Sequence, residues 1–289
     1  MTVVLGTATP GGGFPVYGDA VAATLNEVDP TLGVVTRNTK GSTENVPLLE
    51  AGELDLALVQ GEVAYEALQG IGRPPAALTI FVAMYSTPGM FAVPGDSPVR
   101  AIAELRGSPV VFGARGSGLV ILARYVLDGL GLDQARDFEP IYLDRAADGP
   151  AMVLDGRAAA LWGGGIGWPG FTAVTRAGGR LLAPDADDIR HIQSRHAFLK
   201  TLPVPAGSYP GQREALVSVG SWSFIMARPT LNEDIAYRLA RALQAGAAAL
   251  AARLPQAAET TAANTVSAAP SRDLIHPGVR RHLRELGLL

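Results

Sequence analysis

Residues 3–25 read VVLGTATPGGGFPVYGDAVAATL. A β-branched run, VVLGTA, leads through three consecutive glycines, Gly11 to Gly13, into a stretch with helical spacing. Proline at position 15 suits the first turn of a helix, where its missing N–H costs nothing, so the spacing predicts a helix over 15–28. The unit is strand, glycine loop, helix. Strand and helix alternate again downstream: GVVTRNT before a helix over 44–51 closed by Gly52, and DLALVQ before a helix over 62–69. LTIFVAMY follows as a fourth strand. Alternation of this kind argues for an open, mostly parallel α/β sheet.

A second set of elements starts near Thr87-Pro88. GMFAVP reads as extended, AIAEL as a short helix and PVVFGA as a buried strand, followed by a helix over 118–130. EPIYL, a helix over 149–154, AAALWGG and the helical PGFTAVTRAGG continue the alternation. LVSVGSWSFIMA closes it as a long extended run. Thr230 and Glu233 have capping-box spacing, so a helix is expected there. Its apolar stripe runs through Leu231, Ile235, Leu239, Leu243, Leu250 and Leu254. TTAANTVSAAPS reads as a surface connection, and a last helix follows Pro277. The expected architecture is two α/β domains, residues 1–86 with 227–289 and an inserted 87–226, crossed twice by the chain around a ligand cleft.

The 289 residues carry 24 basic and 27 acidic side chains, a formal charge of −3, which gives no electrostatic case for nucleic acid. There are no cysteines, so thiol catalysis, disulfides and cysteine-bound metals are excluded. No run reaches the roughly 18–20 apolar residues of a membrane span.

The glycine loop is not a dinucleotide fingerprint. Val16 stands where the third glycine belongs, and the second strand ends in Arg37-Asn38-Thr39 with no acid. Two readings remain: a turn that lets the helix pack closely on its strand, or backbone N–H groups facing a ligand at a helix N-terminus. TKGSTEN (residues 39–45) and ARGSG (residues 114–118) have the same form, each placing hydroxyls, glycine and one cation between a strand and a helix. ARGSG lacks the Walker lysine, Leu119 being there instead, and around Ser117 Arg115 and Leu119 stand where a nucleophile elbow has its glycines. His191 and His196 are five apart and form no metal pair, and His276 reads as a helix cap. PDADDIR (residues 184–190) reads as a solvated loop. LWGGGIGWPG (residues 161–170) sets Trp162 and Trp168 around glycines; both are core residues, or one walls a cleft that the glycines let the chain approach.

These motifs, in this order, resemble the TAXI solute receptors, the extracytoplasmic binding subunits of one class of TRAP transporters. GTATPGGGFPVYG, TKGSTEN, GELDLALVQGE, VVFGARGSG and IHPGVRRHLRELG are similar to the segments that family shares. Phe14-Pro15, Lys40 and Glu62 depart from its usual pattern. The resemblance implies a type II periplasmic-binding-protein fold, a small carboxylate, amino acid or oxo-acid as solute, and a membrane permease as partner. It also implies export, with a signal segment before Met1. No cofactor, metal or catalytic residue is expected, and the protein is expected to be a monomer.

Arginine grips a carboxylate with two parallel hydrogen bonds, so Arg115 is the expected anion clamp, with the N–H groups of Ser117 and Gly118 behind it. Lys40, Ser42 and Thr43 are expected opposite. Thr7, Gly12, Gly13, Phe14, Tyr17, Gln60 and Tyr85 complete one side of the expected site, and Trp162, Gly163, Gly164 and Trp168 the other. The rivals are a phosphate- or carboxylate-handling transferase on the same scaffold, which would need an acid or base these loops do not pair, and a cytosolic ligand sensor.

Overall fold

The computed structural model describes residues 2–289. It divides into two compact units: unit 1 comprises the chain through Ala8, Phe14–Tyr85 and Trp222–Leu289; unit 2 comprises Thr9–Gly13 and Ser86–Ser221. Both are mixed α/β.

Unit 1 starts with β1 (Val3–Gly6), α1 (Gly13–Val28), β2 (Val34–Arg37), α2 (Ser42–Glu50), β3 (Leu56–Val59) and α3 (Gly61–Gln69). β1 pairs in parallel with β2, Val3 opposite Val34, and with β3, Leu5 opposite Leu56. α1 lies close to the sheet because Gly18 lacks a side chain. A Cβ there would stand 2.5 Å from the Thr7 methyl. Within this helix the close approach belongs to helix–strand packing.

The next strand, β4 (Thr79–Val93), runs unbroken through Thr87-Pro88, where the sequence reads as two strands with a break. Proline removes one ladder donor, and a strand tolerates that loss where no partner is due. The Pro88 carbonyl still accepts from the Gly165 N–H at 3.3 Å.

Unit 2 continues with β5 (Pro109–Ala114), α4 (Gly118–Gly129), β6 (Glu139–Leu143), α5 (Gly149–Leu154), β7 (Ala160–Gly164), α6 (Pro169–Arg176), β8 (Arg180–Leu182), α7 (Ala186–Arg195), β9 (Lys200–Val204) and β10 (Leu216–Ala227). β5 is parallel to β6 and β7, and β4 is antiparallel to β7 and β8. Side chains alternate across a strand, so these apolar runs feed two cores. Phe91, Val110, Phe112, Ala160 and Trp162 enter one, beneath α4 and α7. Met90, Ala92, Val111 and Leu161 enter the other, with Trp168, Phe171 and Tyr209.

One reading of this region is corrected, and two short strands are added to it. PDADDIR is the start of α7, not a free loop: Asp185 caps it, its carboxylate accepting from the N–H groups of Asp187 and Asp188 at 2.8 Å each. β8 and β9, three and five residues long, carry too little pattern to be read as strands.

The chain returns to unit 1 with α8 (Glu233–Arg253), α9 (Ala262–Ala268) and α10 (Pro277–Glu285). Asn232, not Thr230, caps α8, accepting from Asp234 and Ile235. β10 pairs antiparallel with β3 here, Ile225 opposite Leu58. The leucine stripe of α8 joins Leu5, Tyr17, Leu25, Phe81 and Val279 in one core. TTAANTVSAAPS is not a surface connection. It contains α9, and Thr260 and Thr265 are buried under it. Thr260 Oγ1 donates to the Met84 carbonyl at 2.7 Å, and Thr265 Oγ1 accepts from the Ala83 N–H at 3.1 Å. His276 caps α10 through Nδ1, which accepts from Gly278 N–H at 3.1 Å. No helix among the described residues is long and apolar enough to cross a membrane.

Candidate functional site

The carboxyl ends of parallel strands, where the chain turns into the N-terminus of a helix, collect Thr7, Lys40, Ser42, Thr43, Gln60, Arg115, Ser117 and Gly118 of the expected site residues, but not Tyr17, Tyr85 or Trp162. Open α/β sheets bind ligands at such ends. Each unit is described by itself.

In unit 1, Thr7 follows β1 and is fully buried. Its N–H donates to the Arg37 carbonyl at 3.0 Å, tying the end of β1 to β2. Its own carbonyl accepts from Thr39 Oγ1 at 3.1 Å and from Asn45 Nδ2 at 2.8 Å. Asn45 also donates to the Leu58 carbonyl at 2.7 Å, so one amide on α2 staples the ends of β1 and β3. Asn45 lies within TKGSTEN but was not among the expected contacts. The signal that could have found it is its place in the first turn of a buried helix, where an asparagine has two strand ends within reach.

Ser42, the first residue of α2, is buried, and its Oγ accepts from the Gln60 N–H at 3.0 Å. Thr43 and Lys40 are exposed, and the Lys40 N–H donates to the Glu44 carboxylate. Gln60, at the end of β3, is 3% exposed, and its Nε2 has no hydrogen-bond partner among the described residues. Glu62 is buried in the first turn of α3.

Tyr17 occupies the core rather than a loop. Its hydroxyl meets Thr260 Oγ1 at 2.8 Å and its ring stands edge-on to Tyr85, 5.1 Å between centroids. Thr260 gives its proton to Met84, so Tyr17 is the donor of this pair. Burial holds its phenol far above the ordinary tyrosine range. Phe14 is half-buried against the same core.

In unit 2, Gly12 and Gly13 lead into α1, Gly12 donating to the Thr9 carbonyl at 3.3 Å. Arg115 follows β5 and is exposed, its guanidinium 5.4 Å from the centroid of the Tyr142 ring. Burial raises the Tyr142 phenol, and Arg115 opposes that rise. Ser117 caps α4, its Oγ accepting from the Leu119 N–H at 3.2 Å, and Gly118 opens the helix.

The tryptophan–glycine stretch is built differently from the expectation of a cleft wall. Trp162 is fully buried, its indole N–H donating to the Leu119 carbonyl at 2.7 Å. The Trp168 ring lies where side chains of Gly163 and Gly170 would be; a Cβ at either would stand 2.3 Å from it. These glycines seat an indole. Tyr209, buried beside it, donates to the Gly165 carbonyl and accepts from the Trp168 N–H at 3.3 Å, fixing the loop after β7. Gly164 packs against Thr87 and Pro88. Nothing in the sequence near residue 209 marks this tyrosine as the loop's anchor.

The fold built from these elements is that of the periplasmic binding proteins. It is similar to a protein of Bordetella bronchiseptica RB50 (15% identity over 99% of this chain and 98% of that one, TM-score 0.60). It is likewise similar to a TctC solute binding protein from Polaromonas (17%, 88% and 87%, 0.54). A third is the alkanesulfonate-binding protein SsuA from Xanthomonas axonopodis pv. citri bound to MOPS (18%, 100% and 94%, 0.52). Within that fold class, the chain belongs to the NMT1-like family, whose profile matches residues 5–287.

Proposed function

We propose that the protein is an extracytoplasmic solute-binding protein, without catalysis of its own, that delivers a small anionic solute to a membrane permease. The observation that carries this reading is Gln60. A buried amide nitrogen with no protein acceptor is costly, and an acceptor-rich ligand removes that cost. In unit 1 the loops carrying Lys40, Ser42 and Thr43 offer further donors; in unit 2, taken by itself, the exposed guanidinium of Arg115 at the end of β5 offers a charge suited to an anion, beside Ser117 and Gly118 at the start of α4. Thr7 and Asn45 hold the ends of β1 and β3 beside these loops in unit 1, and Tyr209 holds the loop after β7 in unit 2.

Proteins of the same fold that carry solutes in their descriptions, the TctC protein and the sulfonate-binding SsuA among them, support the solute-binding reading. The TAXI-like motif order supports a TRAP-type permease and a carboxylate. The fold neighbours also include a substrate binding protein of an amino acid ABC transporter, so the permease class is part of the test. Calorimetric titration with a panel of small carboxylates, oxo-acids, acidic amino acids and sulfonates decides the solute class. Saturable binding of a carboxylate, lost in Arg115→Ala, is the expected outcome. Binding of neutral solutes alone overturns it.

A further inference from the structure

Within unit 2, the segment carrying Arg100, β8, the start of α7 and residues of β9 and β10 border a crevice of about 600 Å³. That volume lies within the range of small-molecule sites. Leu181, Ala183, Leu216 and Val217 give it an apolar surface, and Val217 is 46% exposed. Among the described residues, Arg100 and Arg180 are the only charged ones that line it, and no acid and no aromatic ring does.

The two guanidinium groups are anchored on the same pair of carbonyls. Arg100 Nη1 donates to the Ser97 carbonyl at 2.6 Å and to the Val99 carbonyl at 3.0 Å. Arg180 Nη2 donates to Ser97 at 3.1 Å and also to Val99. The Nε and the other Nη of each arginine have no acceptor among the described residues, and neither arginine has a carboxylate partner there. The Glu104 carboxylate accepts instead from the backbone N–H groups of Arg100 and Ala101, at 2.6 and 3.4 Å. Burial lowers the pKa of Arg180, and the like charge of Arg100 lowers it further. Two cations held side by side without a counter-charge repel each other, and an oxyanion shared between them removes that repulsion while meeting their open donors.

We infer that this crevice is a second ligand site, taking an amphiphilic anion whose carboxylate is shared by Arg100 and Arg180 and whose aliphatic tail covers Leu181, Leu216 and Val217. The charged pair reads the head, and the apolar surface beside it reads the tail. The site does not depend on the solute reading, since none of its residues belongs to the strand-end loops.

Calorimetric titration of the 289-residue chain with octanoate, acetate and 1-octanol tests it, with the arginine Nε–H signals followed by ¹⁵N NMR. Octanoate is expected to bind saturably and to shift the Arg180 signal. Its affinity should be at least tenfold above that of acetate, which lacks the tail, and of 1-octanol, which lacks the charge. Arg180→Gln should weaken octanoate at least tenfold. If that variant fails to fold, Arg100→Gln, at an exposed position, decides with the same expected loss. Absence of saturable octanoate binding, affinity matched by acetate or 1-octanol, or unchanged binding in Arg100→Gln overturns the inference. A shift of the Arg115 signal without one at Arg180 also overturns it: octanoate then occupies the end of β5, and the solute reading stands.

Discussion

The side-chain amide of Asn45 donates to the carbonyl of Thr7 at 2.8 Å, and the same nitrogen reaches the Leu58 carbonyl at 2.7 Å. One residue of α2 thus ties the ends of β1 and β3 to each other. Asn45→Ala leaves at least one buried acceptor without its donor, a loss of about 2–3 kcal/mol. Urea denaturation should show a lower midpoint with unchanged slope, since the surface exposed on unfolding is the same. A loss below about 0.5 kcal/mol would mean that water or Thr39 replaces the staple.

The seat of Trp168 gives a second expectation. Gly163→Ala and Gly170→Ala each put a methyl 2.3 Å from the indole, inside van der Waals contact, and the ring is too large to give way cheaply. Each substitution should cost about 1–3 kcal/mol, the range for overpacking a core. Thermal melting would read the loss, and tryptophan fluorescence would report the ring's displacement. Wild-type melting with an unshifted spectrum would contradict the seat.

The parallel strands of unit 1 and the helices that follow them were legible in the sequence, because a period of two or a continuous apolar run bounded by glycines fits little besides a strand. What escaped had physical reasons. Thr260 and Thr265 are polar, and composition assigns polar residues to solvent, yet here they hydrogen-bond the backbone of β4 from within the core. Tyr17 and Trp162 sit next to loops in the sequence but point into cores. Their neighbours along the chain do not reveal which face of the element they take.

His276 carries a prediction about pH. Nδ1 accepts from Gly278 N–H, which leaves Nε2 to donate to the Leu231 carbonyl at 3.1 Å, so the geometry requires the neutral ring. Burial, the largest cause, lowers its pKa below the ordinary histidine value of 6.5, against a smaller raising effect of the bond to Leu231. The folded protein therefore resists a proton that the unfolded chain accepts. The contribution is fully present above pH 6.5 and is lost as pH falls from there through the folded-state value. The slope is at most about 1.4 kcal/mol per pH unit for one proton. His276→Asn keeps a capping side chain and should flatten the fall in stability below pH 6.5. Equal slopes for the two proteins would refute the assignment.

Arg115 separates stability from binding. It is exposed, and its one described side-chain contact is with the Tyr142 ring, 5.4 Å from the centroid. An exposed cation beside the half-buried Tyr142 ring contributes about 0.5–1 kcal/mol, so Arg115→Ala should leave the melting temperature of the ligand-free protein nearly unchanged. If Arg115 grips the anion, the same substitution should remove a charge-assisted pair and weaken binding by a factor of about 30 or more, from a loss of about 2 kcal/mol or above. Arg115→Lys should recover the charge but not the two-pronged geometry, leaving affinity between the other two. The measurement is calorimetry of all three proteins with whichever small carboxylate binds the wild type, beside their melting curves. Lysine matching arginine would show that charge alone suffices, and alanine matching arginine would remove residue 115 from the site.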